Sequence, residues 1–212
     1  MIRILIIDDH TIVHRGLRQI VAEEPDIVVT GEARTGHEGL ELAQTQPCEL
    51  VVLDISMPGR GGLDVLKELK QVRPNLPVLV LSMYPEEQYA TRALRLGASG
   101  YMTKESAPEE LIGAIRRVVA GGRYVSASLA ETLAGRLAAD RQSERPLHES
   151  LSDREYHVLR LIASGKTVTE IAEELTLSVK TISTYRSRVL EKMGMKTNAE
   201  LTHYAVSNRL LG

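Results

Sequence analysis

Over residues 1–121, short apolar runs alternate five times with segments of helical periodicity, and that alternation restricts the fold more than any other feature of the chain. The runs are residues 2–7, 27–30, 50–53, 78–81 and the shorter 100–102. Between them, residues 11–23, 36–44, 63–72, 86–96 and 108–120 carry apolar side chains three and four apart, as in Leu63, Leu66 and Leu69 or Leu111, Ile115 and Val118. The runs lack polar alternation, the pattern of strands covered by helices on both faces. Five βα units therefore predict an α/β fold with a doubly wound, five-stranded parallel sheet. Pro25, Pro47, Pro74 and Pro77 fall between elements, where a missing N–H breaks no ladder. Phe and Trp are absent, so aliphatic side chains must build the core.

The texture then changes. Residues 122–147 read as a linker, with one helix predicted from Leu129, Leu133 and Leu137 and a solvated stretch over 140–149, which contains Pro146. From Leu151 the pattern is purely helical. Ser152 with Glu155, Thr167 with Glu170 and Thr197 with Glu200 have the spacing of capping boxes, and Ser178 before Val179 marks a fourth helix start. Gly165 and Gly194 stand where a left-handed residue ends a helix. These signals predict a small all-α domain of four helices over residues 148–212. Residues 151–212 hold nine basic against seven acidic residues, net +2, while the whole chain is −2; such a split suggests two domains with different partners. The apolar fraction of 43% and charged fraction of 25% exclude disordered and membrane classes. Cys48 is the single cysteine and residues 4–7 are too short for a signal peptide, so a soluble, cytoplasmic protein is expected.

Asp8, Asp9, Asp54, Ser82 and Lys104 each fall at or just past the end of one of the apolar runs. In an open parallel sheet those ends lie side by side, so five residues spread over nearly a hundred positions converge on one crevice. Two carboxylates about 4 Å apart repel by roughly 4 kcal/mol at an effective dielectric near 20, so three together call for a cation. Mg²⁺ suits an all-oxygen site that leaves room for phosphate oxygens. Asp54, alone at its strand end, is the candidate nucleophile toward phosphorus; Lys104 could pair with a phosphoryl group and the Ser82 hydroxyl could hydrogen-bond it. His10 and His14 read as helix-start and helix-face residues.

In the C-terminal part, a short helix at 169–175, a turn at Thr176-Leu177 and a longer helix at 179–193 have helix-turn-helix proportions. Val179, Ile182, Val189, Leu190 and Met193 form the predicted apolar seam of the longer helix. Lys180, Thr181, Ser183, Thr184, Ser187 and Arg188 are then candidates to meet bases and phosphates in a major groove.

Ile6-Ile7-Asp8-Asp9-His10, Asp54-Ile55-Ser56-Met57-Pro58-Gly59, Leu81-Ser82-Met83 and Gly100-Tyr101-Met102-Thr103-Lys104 resemble the flavodoxin-like receiver domain of two-component response regulators. Leu151-Ser152-Asp153-Arg154-Glu155, Val158 to Ala163, Glu170-Ile171-Ala172 and Leu177 to Ile182 resemble the LuxR-type DNA-binding domain. That order is the layout of the NarL/FixJ family. The resemblance implies that Asp54 accepts phosphate from a sensor histidine kinase and that Asp8, Asp9, Asp54 and the Ser56 backbone carbonyl surround Mg²⁺. It also implies that Ser82 and Tyr101 form a switch pair and that the protein regulates transcription, as a homodimer on double-stranded promoter DNA. Arg186 stands where many relatives carry an aliphatic residue, so its role is left open. The final helix, 198–210, with Leu201, Ala205 and Asn208 along one stripe, resembles a dimerisation helix or simply closes the bundle. Two competing readings remain: a DNA binder whose receiver is a constitutive dimerisation platform, and a Mg²⁺-dependent phosphohydrolase.

Overall fold

The computed structural model describes residues 1–57, 61–106, 108–139, 146–208 and 210–211. It divides into two compact units, Met1–Arg141 and Gln142–Gly212. Pro58 and Gly59 of the motif after Asp54, and residues 140–145 of the expected linker, lie outside the described residues.

In the first unit, β1 (Ile2–Ile7), β2 (Ile27–Ala33), β3 (Leu50–Leu53), β4 (Val78–Ser82) and β5 (Gly100–Thr103) alternate with α1 (Thr11–Ala22), α2 (Gly36–Thr45), α3 (Gly62–Val72), α4 (Glu86–Arg95) and α5 (Pro108–Val119). The strands form one parallel sheet in the order β2-β1-β3-β4-β5. Ile4 to Ile7, Leu50 to Leu53 and Val78 to Leu81 are all buried, as expected of runs with no polar alternation. Each such side chain contributes about 1.5–3 kcal/mol by leaving water, which an aliphatic core without Phe or Trp must gather from many positions.

The helix predicted from Leu129 exists as α6 (Ala127–Ala139), but it belongs to the first unit instead of serving as a free linker. Leu129 is buried, α6 packs on α4, and Ser126 donates to Glu86 while capping α6 by accepting from Leu129 N at 3.1 Å. Just before it, Tyr124 bridges to Gly100 in parallel register: Tyr124 N donates to Ser99 O at 3.0 Å and Tyr101 N to Tyr124 O at 3.2 Å. A Cβ on Gly100 would lie 2.8 Å from Tyr124 O, so only glycine admits this approach.

The second unit holds a 3₁₀ turn (Leu147–Ser150), α7 (Asp153–Ala163), α8 (Val168–Glu174), α9 (Val179–Met193) and α10 (Asn198–Ser207). The 3₁₀ turn falls where a solvated linker was expected, and His148 fastens it through Nδ1 to the Tyr204 hydroxyl at 2.9 Å. The capping boxes at Ser152/Glu155 and Thr167/Glu170 are complete. At Thr197 only half of one forms, because the Glu200 carboxylate accepts from Lys196 N at 2.7 Å instead of the cap amide. Glu155 does more than cap: Lys192 Nζ of α9 reaches it at 2.6 Å. Val179 departs from the predicted seam, being 48% exposed, whereas Ile182, Val189 and Met193 are buried. Leu201 and Ala205 are buried too, so that stripe of α10 closes the bundle, and Asn208 is exposed.

Candidate functional site

β1 and β3 are neighbours where the strand order reverses, the point at which an open parallel sheet places a crevice beyond the carboxyl ends of its strands. The backbone ladder runs past the named strands and so positions the residues just beyond them: Asp8 N donates to Ala33 O at 3.0 Å, Asp54 N to Ile7 O at 2.9 Å and Lys104 N to Ser82 O at 2.8 Å. Residues remote in sequence therefore meet. Lys104 Nζ lies 2.7 Å from Asp8 Oδ2 and 2.8 Å from Asp54 Oδ2, while Asp54 Oδ1 accepts from Ser56 N at 2.8 Å. Gly62 makes room for this arrangement, since a Cβ there would stand 2.3 Å from Asp54 O.

Burial raises the pKa of Asp54, with Asp8 adding to it and Lys104 and the Ser56 amide opposing. Burial works against the Lys104 charge as well, but the Asp54 and Asp8 carboxylates more than offset it and its pKa is raised. Lys104 thus stands as a cation among acids, in the place where further positive charge would be welcome.

The structure brings His10 to the same place, which sequence reasoning did not anticipate. It is the N-cap residue of α1 but caps nothing with its side chain; its ring turns to the carboxylates instead. His14 is buried, with Nε2 2.6 Å from the Asp8 carbonyl oxygen and Nδ1 3.4 Å from Glu32 Oε2, so it braces the backbone of the acidic pair. Asp8, Asp9, His10 and Asp54 each offer a ligand atom, all within 4.8 Å of one another. Asp9 Oδ1 is buried and has no hydrogen bond, a state a bound cation would relieve. The donor set fits a small divalent ion such as Mg²⁺.

Ser82 and Tyr101 both meet the backbone of Tyr84. Ser82 Oγ accepts from Tyr84 N at 3.0 Å, and Tyr101 is fully buried with its hydroxyl donating to Tyr84 O at 2.8 Å. Burial pushes the Tyr101 phenol up, and the nearby Glu86 adds to it, so that hydroxyl keeps its proton.

In the second unit α8 and α9 pack together around Ile171, Ala172 and Ile182. Thr176, in the turn between them, has φ +53°, and its amide donates to Glu173 O while Leu177 N donates to Ala172 O. Lys180, Ser183, Thr184, Ser187 and Arg188 of α9 are exposed along its outer side. Thr181 is partly withdrawn, its hydroxyl 2.7 Å from Ser178 Oγ at the helix start. Arg186 donates through Nε to Asn198 Oδ1 at 2.6 Å, tying α9 to the start of α10; this gives it a structural task.

A family model described as the response regulator receiver domain matches residues 4–116, and one described as bacterial regulatory proteins, luxR family, matches 149–205. The response regulator GacA of Pseudomonas aeruginosa is 37% identical, aligned over 100% of this chain and 98% of its own. The response regulator UvrY of Escherichia coli K12 is 35% identical over 99% and 96%. Among solved structures, RcsB from Salmonella enterica serovar Typhimurium, bound to promoter rprA in the presence of the phosphomimetic BeF₃⁻, is 28% identical with TM-score 0.60, covering 96% of this chain and 97% of its own. A structure of two RcsB dimers bound to two parallel DNAs is 30% identical with TM-score 0.60, covering 97% and 98%. These matches favour neither the phosphohydrolase nor the phosphorylation-independent reading. Among the described residues, no helix is long and apolar enough to cross a membrane.

Proposed function

Because the chain belongs to the NarL/FixJ family of two-component response regulators and so is a DNA-binding transcription regulator, we propose that phosphorylation of Asp54 by a sensor histidine kinase switches it. The observation that carries this reading is the buried Asp54 carboxylate held beside Lys104 and the acidic pair at the switch point of the sheet. An Asp54 oxygen attacks the phosphorus of a phosphohistidine. The P–N bond breaks, an acyl phosphate forms, and the leaving imidazole takes a proton. Lys104 balances the incoming charge as a point cation, and the Ser82 hydroxyl leaves the Tyr84 amide to donate to a phosphoryl oxygen. Asp8, Asp9, Asp54 and the Ser56 carbonyl would hold Mg²⁺, which when bound neutralises phosphoryl oxygens. The chemistry is self-modification, one event per Asp54, not turnover of an external substrate.

Ser82 and Tyr101 form the switch: both are engaged at Tyr84, so a Ser82 that moves toward phosphate frees the loop that Tyr101 holds. The output is double-stranded promoter DNA in the cytoplasm, read by α9 through Lys180, Thr181, Ser183, Thr184, Ser187 and Arg188. The active species is a homodimer, a reading supported by the RcsB dimers on DNA.

The test is incubation with a small phosphodonor and Mg²⁺, peptide mapping of the label, and titration of promoter DNA at fixed salt. Label on Asp54, absent from Asp54→Ala, together with tighter DNA binding after labelling is the expected result. Label elsewhere, or equal affinity of the labelled protein and Asp54→Ala, would sink the reading.

A further inference from the structure

We propose that the His10 imidazole is a further donor, beside the three carboxylates and the Ser56 carbonyl, to the cation of the Asp54 site and biases the pocket toward first-row transition ions over Mg²⁺. The inference rests on the cation reading above. Adjacent corners of an octahedron with bonds of about 2.1 Å are about 3.0 Å apart. His10 Nδ1 lies 3.1 Å from Asp8 Oδ1 and 3.1 Å from Asp9 Oδ1, both near that octahedral edge, and 3.8 Å from Asp54 Oδ2.

A plain hydrogen-bond role explains only part of this. A neutral ring has at most one proton to give from Nδ1, and it faces two carboxylate oxygens. Asp8 Oδ1 also accepts from His10 N at 2.8 Å, whereas Asp9 Oδ1 is buried with no hydrogen bond. One ion between the three groups satisfies both oxygens and the ring lone pair together. The His10 side chain is 52% exposed, so the ring takes a corner on the solvent side that water would otherwise occupy. Imidazole nitrogen favours transition ions over Mg²⁺, which prefers oxygen and dehydrates reluctantly.

Mn²⁺ and Mg²⁺ are the probes, used on the full chain and on His10→Ala, with Asp9→Ala as a control for the site itself. Electron spin-echo spectra of the Mn²⁺-loaded protein should carry a nitrogen coupling that His10→Ala lacks. Mn²⁺ affinity should fall about tenfold in that variant while Mg²⁺ affinity stays within about twofold. Circular dichroism checks that the variant is folded. Ion binding that requires Asp9 but shows no nitrogen coupling, or an unchanged Mn²⁺/Mg²⁺ preference in His10→Ala, overturns this inference and leaves the cation reading standing. No binding of either ion overturns both.

Discussion

A single carboxylate illustrates how function and stability oppose one another in this chain. Asp54 is 1% exposed and shares its surroundings with Asp8, so its ionised form is held at a disadvantage. The folded state binds the proton more tightly than the unfolded chain does, so this group's stabilising contribution is lost as pH rises through its raised pKa. Asp54→Asn should therefore make the first unit more stable at neutral pH, since it removes a buried charge that desolvation and the Asp8 carboxylate disfavour. Lys104 keeps Asp8 as a partner in that variant. Urea unfolding measures it, and a variant less stable than the parent contradicts the argument. His157 behaves oppositely. Burial, with Arg154, Arg160 and Lys166 adding to it and Glu174 opposing, lowers its pKa to about 4. Its neutral form is the native one, so stability is full above about pH 6.5 and is lost as pH falls toward 4, by as much as about 3 kcal/mol. A pH series of unfolding curves on the second unit should show that slope, much reduced in His157→Gln. A flat profile between pH 7 and 5 in the parent would falsify it.

Among the elements, helix starts were more legible than what the helices pack against. Ser152 and Thr167 announce complete capping boxes because both partners lie within four residues. The Lys192–Glu155 pair, which ties α9 to α7, and the Arg186–Asn198 bond, which ties α9 to α10, join residues 37 and 12 positions apart, beyond the reach of local signals. Val179 misled for a related reason: its spacing fits the seam, but it is the first residue of α9 and stands exposed, while burial along the seam begins at Ile182. The strands and the five convergent residues were legible because unalternating apolar runs dictate a covered parallel sheet, and the sheet alone brings their ends together. His10, Gly62 and the buried pose of Tyr101 were not, because each depends on how closely backbones approach across the crevice. Thr176 shows what such turns store. A β-branched residue at φ +53° is strained by about 1–3 kcal/mol, yet the two hydrogen bonds around it complete the usual helix-ending pattern that glycine serves at Gly165. Thr176→Gly should raise the stability of the second unit by about 1 kcal/mol, and a thermal midpoint unchanged or lowered refutes the strain.

At the scale of the molecule, each unit carries its own core, and in the proposed mechanism phosphorylation at one biases the other. A shift from 1:99 to 99:1 needs about 5.5 kcal/mol of differential stabilisation, so one phosphoryl group suits a partial shift better. The place where the first unit ends bears on this. The sequence texture drew the boundary near residue 121, where apolar runs stop alternating with helical periodicity; the structure extends the unit through Tyr124 and α6, contacts that no periodicity encodes. A fragment of residues 1–121 should expose the β5 edge and lose amide-exchange protection at Tyr101, whereas residues 1–139 should keep it. Equal protection in the two would show that the bridge carries no weight. The bridge also has a mechanical side. Tension reaching the sheet from its C-terminal side is borne first by the Ser126–Glu86 contact, then by two ladder bonds at Tyr124, one of which belongs to Tyr101 itself. Load from that side thus reaches β5, the edge strand that carries Tyr101, before any other strand of the sheet.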